Sequence, residues 1–310
     1  MMVCSIPITT TYSINTIGKL VEVKNQSSAG NNNGTTSPLS GDWVIVSDLD
    51  GTLLDHHTYS HAAIDNLLKQ LDTAHVPVVF NSSKTRPEML VLREAMHNQH
   101  PFIVENGSAI FFPEDYFSTD LPSTSLVDGY RCLVLGATRD DVLAFLENDA
   151  NQYGQAYLSF AKASVADIVE ATGLSEQQAS QAKQREFSEP LLWQGSDEEK
   201  QAFIERAEGA GFNTLQGGRF LHVIGQTDKG KATQRLVLEY QQQAQKEYRL
   251  LASGDSPNDI DMLAVADIAV VVKSPVQKAP TFECKGEILY SDAQGPEGWR
   301  EVVEPLFQER

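Results

Sequence analysis

The sequence predicts an α/β fold: a doubly wound parallel sheet carrying an inserted α+β domain. Three observations lead there. Short apolar runs recur, each followed by a polar loop and then by a helical pattern. That alternation lapses after residue 112 and resumes after residue 224. The chain has 310 residues, room for about two domains at roughly 150 residues each.

Residues 1–41 stand apart. The stretch 25–41 (NQSSAGNNNGTTSPLSG) is nearly all Asn, Ser, Gly and Thr, too polar to offset the entropy of ordering. A flexible leader is expected there. The catalytic core is expected over 42–111 and 225–310, with the inserted domain over 112–224.

Within the core, Val44, Ile45 and Val46 read as a strand buried on both faces. Ile64, Leu67, Leu68 and Leu71 follow helical spacing. Residues 76–80 read as a second strand and 102–104 as a third. Between them Pro87 stands where a helix starts. The insert reads as a strand at 130–135 and helices at 140–148, 165–170 and 176–187. A strand at 191–193, a helix at 198–208 and a strand at 219–224 complete it. The core then resumes with a helix from 231 to about 245, a strand at 249–252, a helix at 259–265 and a strand at 268–272.

Charge narrows the function. Lys plus Arg is 24 and Asp plus Glu is 42, a net charge of −18. That argues against nucleic-acid partners and against anionic membranes. No apolar stretch approaches the roughly 18 residues of a membrane span. The N-terminus has no basic residue before Lys19, which does not suit a secretory signal. Cys4, Cys132 and Cys284 are too few for a disulfide framework or zinc cluster. A cytoplasmic protein is expected.

Four polar loops carry the chemistry. Asp48-Leu49-Asp50-Gly51-Thr52 follows the first apolar run, and strand ends are where open α/β sheets bind ligands. One carboxylate there suits attack on phosphorus and the other proton transfer. Asn81-Ser82-Ser83-Lys84-Thr85 follows the second run and offers hydroxyls and N–H groups to a phosphoryl oxygen. Asp228-Lys229-Gly230-Lys231 offers a lysine between phosphate and carboxylate. Ser253-Gly254-Asp255-Ser256-Pro257-Asn258-Asp259 brings a further carboxylate to another strand end, the kind of oxygen donor that magnesium takes.

In this order, over 43–310, the loops resemble the four motifs of the haloacid dehalogenase superfamily of phosphotransferases. An insert between the second and third motifs resembles the Cof-like subclass, with its Rossmann-like core and α/β cap. The strings NSSKTRPEM (81–89), Glu105-Asn106-Gly107, AKQREFSEP (182–190) and GGRFLHV (217–223) resemble mannosyl-3-phosphoglycerate phosphatases.

The resemblance implies roles. Asp48 is the nucleophile and Asp50 the general acid and base. Lys229 matches the third motif better than Lys231. Ser82, with Ser83 as its rival, and Asn258 bind phosphate. Mg2+ is held by Asp48, the main-chain carbonyl of Asp50, and Asp255, with Asp259 in support. Lys84, Arg185 and Arg219 are candidates for the substrate's carboxylate, while His222, Trp193 and Phe220 read as cap packing. The implied reaction is Mg-dependent hydrolysis of mannosyl-3-phosphoglycerate through an aspartyl phosphate. A glucosyl-3-phosphoglycerate or general sugar phosphatase, a phosphomannomutase-type transferase and a non-catalytic sugar-phosphate-binding regulator are the alternatives.

Overall fold

The computed structural model describes residues 42–119 and 121–307. It also describes two short strands, Tyr12–Ile14 (β1) and Leu20–Glu22 (β2), which pair antiparallel within a unit of their own, Met1–Ser37. The rest of the expected leader lies outside the described residues. Everything below concerns the second unit.

Its centre is a nine-stranded sheet. Six strands run parallel: Trp43–Ser47 (β3), Val78–Asn81 (β4), Phe102–Val104 (β5), Arg249–Gly254 (β13), Ile268–Lys273 (β14) and Glu287–Gln294 (β15). β3 lies between β4 and β13. Three antiparallel strands extend the β5 edge: Ala109–Pro113 (β6), Ser125–Val127 (β7) and Tyr130–Val134 (β8). The insert was expected from residue 112, yet β7 and β8 lie beyond that point and pair into the large sheet. They are joined by turns, not crossover helices, so the change of grammar at 112 is not a change of sheet.

Alternate residues of β3 enter different cores. Ile45 faces the layer holding helix Asp65–Thr73 (α1), helix Arg86–Ala95 (α2) and Trp299 of helix Gly295–Phe307 (α9). Val44 and Val46 face Leu236 of helix Lys229–Ala244 (α7) and Leu263 of helix Ile260–Ala264 (α8). Both faces are thus covered, as a parallel sheet requires.

The cap sheet has four antiparallel strands: Tyr157–Ser159 (β9), Ser188–Trp193 (β10), Asn213–Gly217 (β11) and Phe220–Ile224 (β12). Helices Arg139–Tyr153 (α3) and Asp197–Gly209 (α6) cover one face through Val142, Leu146, Phe203, Leu221 and Val223. Helices Val165–Thr172 (α4) and Glu176–Ala182 (α5) form a separate cluster with Phe160 and Phe220. α5 stops at Ala182, short of the expected 187, because the N–H groups of Glu186 and Phe187 bond to a core carboxylate, Glu105.

The two connections to the cap touch. A Cβ on Gly225 would sit 2.0 Å from the nitrogen of Ala137 and 2.6 Å from the carbonyl carbon of Gly136. Only a residue without a side chain permits that approach.

Candidate active site

Three neighbouring strands, β4, β3 and β13, deliver their carboxyl ends to one place. The Asp48 N–H donates to the Ser253 carbonyl at 2.9 Å, tying the end of β3 to β13. A buried hydroxyl chain runs beneath. The Trp299 indole donates to Ser253 Oγ (2.9 Å), Ser253 Oγ to Ser47 Oγ (2.7 Å), and Ser47 Oγ to the Asp48 carbonyl (2.8 Å). The chain then turns at Gly51, whose φ is +79°. Any Cβ there would also lie 2.6 Å from Asp255 Oδ2.

Lys229 occupies the first turn of α7, where the Asp228 side chain caps the helix by accepting the Lys231 N–H at 2.7 Å. Its ammonium lies 2.6 Å from Asp48 Oδ1 and 2.7 Å from Asp259 Oδ1. Burial alone would lower its pKa, but the two carboxylates outweigh this and raise it. Lys229 therefore stays charged. Burial pushes Asp48 upward, Lys229 opposes, and the Asp259, Asp50 and Asp255 carboxylates add to the rise. Burial, then Asp259, pushes Asp255 up to about 6.

Carboxylate oxygens of Asp48, Asp255 and Asp259 lie within 4.8 Å of one another. Asp259 is already committed. Its Oδ1 accepts from Lys229, and its Oδ2 from the N–H groups of Asp255 (3.2 Å) and Ser256 (3.1 Å). Asp50 Oδ1 is buried without a hydrogen-bond partner. This cluster of crowded carboxylates fits a hard divalent cation bound through oxygen. Asp48 and Asp255 have carboxylate oxygens to give, the main-chain carbonyl is the donor expected from Asp50, and Asp259 holds the loop and the lysine.

Asp50 Oδ2 pairs with the Lys84 ammonium at 2.7 Å. Burial would lower the Lys84 pKa, but Asp50 and then Glu88 raise it overall. Ser82 is 1% exposed, and its Oγ accepts the Lys84 N–H at 3.3 Å while keeping a proton to offer. Ser83 lines the cavity in front of it, as does Asn258.

The turn after β5 carries residues whose roles the sequence did not reveal. Glu105 and Asn106 have φ of +50° and +60°, both left-handed. A Cβ on Gly107 would lie 2.1 Å from the Asp228 carbonyl oxygen, so the turn packs directly against the start of α7. Asn106 is 1% exposed, lines the cavity, and has neither amide atom hydrogen-bonded. Glu105, wholly buried, accepts from the N–H groups of Glu186 (2.8 Å) and Phe187 (3.2 Å) and from Ser188 Oγ (2.6 Å). Arg185 lies 3.4 Å from it and donates back to the Ser83 carbonyl at 2.8 Å. The only advance signal was the polar string Glu-Asn-Gly at a strand end.

A cavity of about 640 Å³ lies between core and cap. Asp48, Asp50 and Lys84 line it from the core, and Arg185, Arg219, Phe220 and His222 from the cap. Arg185 is buried and fastened; Arg219 is exposed, donating to the Ala171 carbonyl at 2.7 Å. The structure thus gathers Asp48, Asp50, Asp255 and Lys229 at one end and the cations Lys84, Arg185 and Arg219 around the same space. Trp193 is outside it, its ring tilted against Tyr157 and Phe203 in the cap core. Such a site can attack an electrophile with one carboxylate, move a proton with another and hold an anion.

Residues 45–280 match the family model of haloacid dehalogenase-like hydrolases. A glucosyl-3-phosphoglycerate/mannosyl-3-phosphoglycerate phosphatase of Methanococcoides burtonii is 35% identical over 264 residues, 85% of this chain and 97% of that one. A phosphatase of the same superfamily from Bacteroides thetaiotaomicron superposes with a TM-score of 0.60 at 15% identity, covering 90% of this chain and 99% of that one. The sucrose-phosphatase of Synechocystis, solved with sucrose and phosphate, gives 0.54 at 17% identity, covering 86% and 98%. These two show the shared fold. Among the described residues no helix is long and apolar enough to cross a membrane.

Proposed function

We propose, from the premise that this chain belongs to the haloacid dehalogenase-like hydrolases, that it is a phosphatase of glycosyl-3-phosphoglycerates, with mannosyl-3-phosphoglycerate preferred and the glucosyl ester second. One observation carries the reading. A single cavity joins a buried Asp48–Lys229 pair and Asp50 to three cationic side chains, in a chain of net charge −18. Cations concentrated against the overall charge suit a substrate bearing a carboxylate as well as a phosphate. The 35% identical relative carries the corresponding name.

Asp48 attacks phosphorus through the oxygen that Lys229 leaves free, forming an aspartyl phosphate as the ester P–O bond breaks. Asp50 gives its proton to the departing glycerate oxygen. It then takes one from the water that opens the acyl phosphate, returning Asp48 and releasing phosphate. Before that, Asp50 must lose its ion pair with Lys84. An anionic substrate group entering the cavity offers the ammonium another partner and frees the Asp50 carboxyl for the transfer. Ser82 donates its hydroxyl to a phosphoryl oxygen, with Ser83 and Asn258 beside it. Asp48, the main-chain carbonyl of Asp50 and Asp255 would hold Mg2+, which would neutralise phosphate charge.

The test is phosphate release from a panel: mannosyl- and glucosyl-3-phosphoglycerate, mannose 6-phosphate and p-nitrophenyl phosphate. Each charge-assisted contact the substrate loses should cost about 10- to 100-fold in kcat/KM, from roughly 1.5–3 kcal/mol per bond. A panel won by simple hexose phosphates overturns the substrate assignment.

A further inference from the structure

We propose that His222 reads a hydroxyl of the sugar ring, which makes it a specificity-determining residue of the cap. The inference rests on the glycosyl-phosphoglycerate reading for its ligand but on separate observations for its site.

His222 sits at the middle of β12, a central strand of the cap sheet, opposite Pro190 on β10 and Leu215 on β11. Its neighbours Leu221 and Val223 point into the cap core. Period-2 alternation therefore turns His222 and Phe220 to the other face, and both line the cavity. The imidazole is 7% exposed, and its Nδ1 is buried without a hydrogen-bond partner. Buried polar atoms without partners are uncommon in folded proteins and ask for an explanation.

Packing reasons alone do not supply one. An apolar residue would fill a site flanked by proline and leucine at no desolvation cost. The sheet also makes room for the ring: a Cβ on Gly217 would lie 3.0 Å from His222 Nε2 and 3.2 Å from its Cδ2. Burial, then the positive charge of Arg185, lowers the His222 pKa to about 3. At neutral pH the ring is uncharged, with one nitrogen donating and one accepting. That chemistry matches a hydroxyl, which also donates and accepts. It does not match a phosphate or carboxylate, which Arg185 and Arg219 serve better.

The experiment uses the full chain with His222→Leu and His222→Gln, assayed on mannosyl-3-phosphoglycerate, 3-phosphoglycerate and p-nitrophenyl phosphate. The leucine variant should lose about tenfold more in kcat/KM on the glycosyl ester than on the two sugar-free esters, through KM more than kcat. Glutamine, which keeps a donor and an acceptor, should recover part of that loss. Melting temperatures close to wild type confirm folding. Equal losses on all three esters, or no loss on any, overturn the assignment. The wild-type panel separates this from failure of the substrate reading. If wild type prefers a hexose phosphate, the glycosyl-phosphoglycerate reading falls, and His222→Leu measured on that hexose phosphate against p-nitrophenyl phosphate still decides the residue.

Discussion

Replacing Glu105 by alanine removes the carboxylate on which the cap is fastened. Its four partners are the N–H groups of Glu186 and Phe187 at 2.8 and 3.2 Å, the Ser188 hydroxyl at 2.6 Å and the Arg185 guanidinium at 3.4 Å. All four belong to the cap, and Glu105 itself is wholly buried. Losing one side of a buried ion pair costs about 3–5 kcal/mol. The stranded N–H groups would add about 1–3 kcal/mol each if the loop could not relax. The loop can relax by admitting water, so a net loss of about 3–5 kcal/mol is expected, not the sum. For a domain of this size that lowers Tm by on the order of 10 °C. Calorimetry measures the shift, and hydrogen exchange at Glu186 and Phe187 reports where it arises. Glu105→Gln keeps an acceptor for the N–H groups but presents an amide to Arg185, so it should fall between alanine and wild type. An alanine variant that melts within a degree or two of wild type, with both amides still protected, would refute the reasoning.

Asp48→Asn should abolish phosphate release with the fold retained, and Asp50→Asn should lose roughly 10²–10⁴-fold; an Asp48 variant keeping a hundredth of the rate, about 3 kcal/mol, removes it from the nucleophile's place. Chelation by EDTA should silence the enzyme and Mg2+ restore it, with Asp255→Ala needing far more Mg2+; full activity of protein shown metal-free by elemental analysis counts against the metal. Stability should fall on acidification through His100, whose pKa burial lowers to about 4. The unfolded chain binds that proton near the ordinary value of about 6.5, so folding is penalised progressively between about pH 6.5 and 4. Raised carboxyls such as Asp255 act in the opposite direction, so the comparison is of Tm against pH for His100→Asn and wild type; identical slopes would exclude the contribution.

The acidic end of the candidate site was legible because it is local. Asp48, Ser82 and Asp255 each stand within three residues of the end of an apolar run, and a parallel sheet sends such positions to one edge. Lys229 was legible from its short string, but its bridge between Asp48 and Asp259 was not, since it spans 181 and 30 residues. Glu105 was unreadable as a cap anchor for the same reason: its partners lie 81 to 83 residues away. The side of the sheet that His222 faces depends on which neighbours cover the other side, so the strand's own letters favoured packing. β15 was hidden by the exposed polar residues of an edge strand, and α9 by Gly295, Pro296 and Pro305, although Trp299, Val302, Val303 and Leu306 keep helical spacing.

The meeting of Gly136 and Gly225 makes the cap a detachable module. Its polypeptide leaves and re-enters through one doorway, so cutting it out leaves two ends already side by side. A graft of another cap needs to present its own ends at that spacing and donors for the buried Glu105. Its length matters little, because the entropy of closing a loop grows only with the logarithm of its length. Chimeras joined at these glycines would keep the phosphate chemistry of the core and exchange what it is applied to. Lineages that diversify by insertion have the same route open to them, with substrate range changing in one step while the aspartates and Lys229 stay in place.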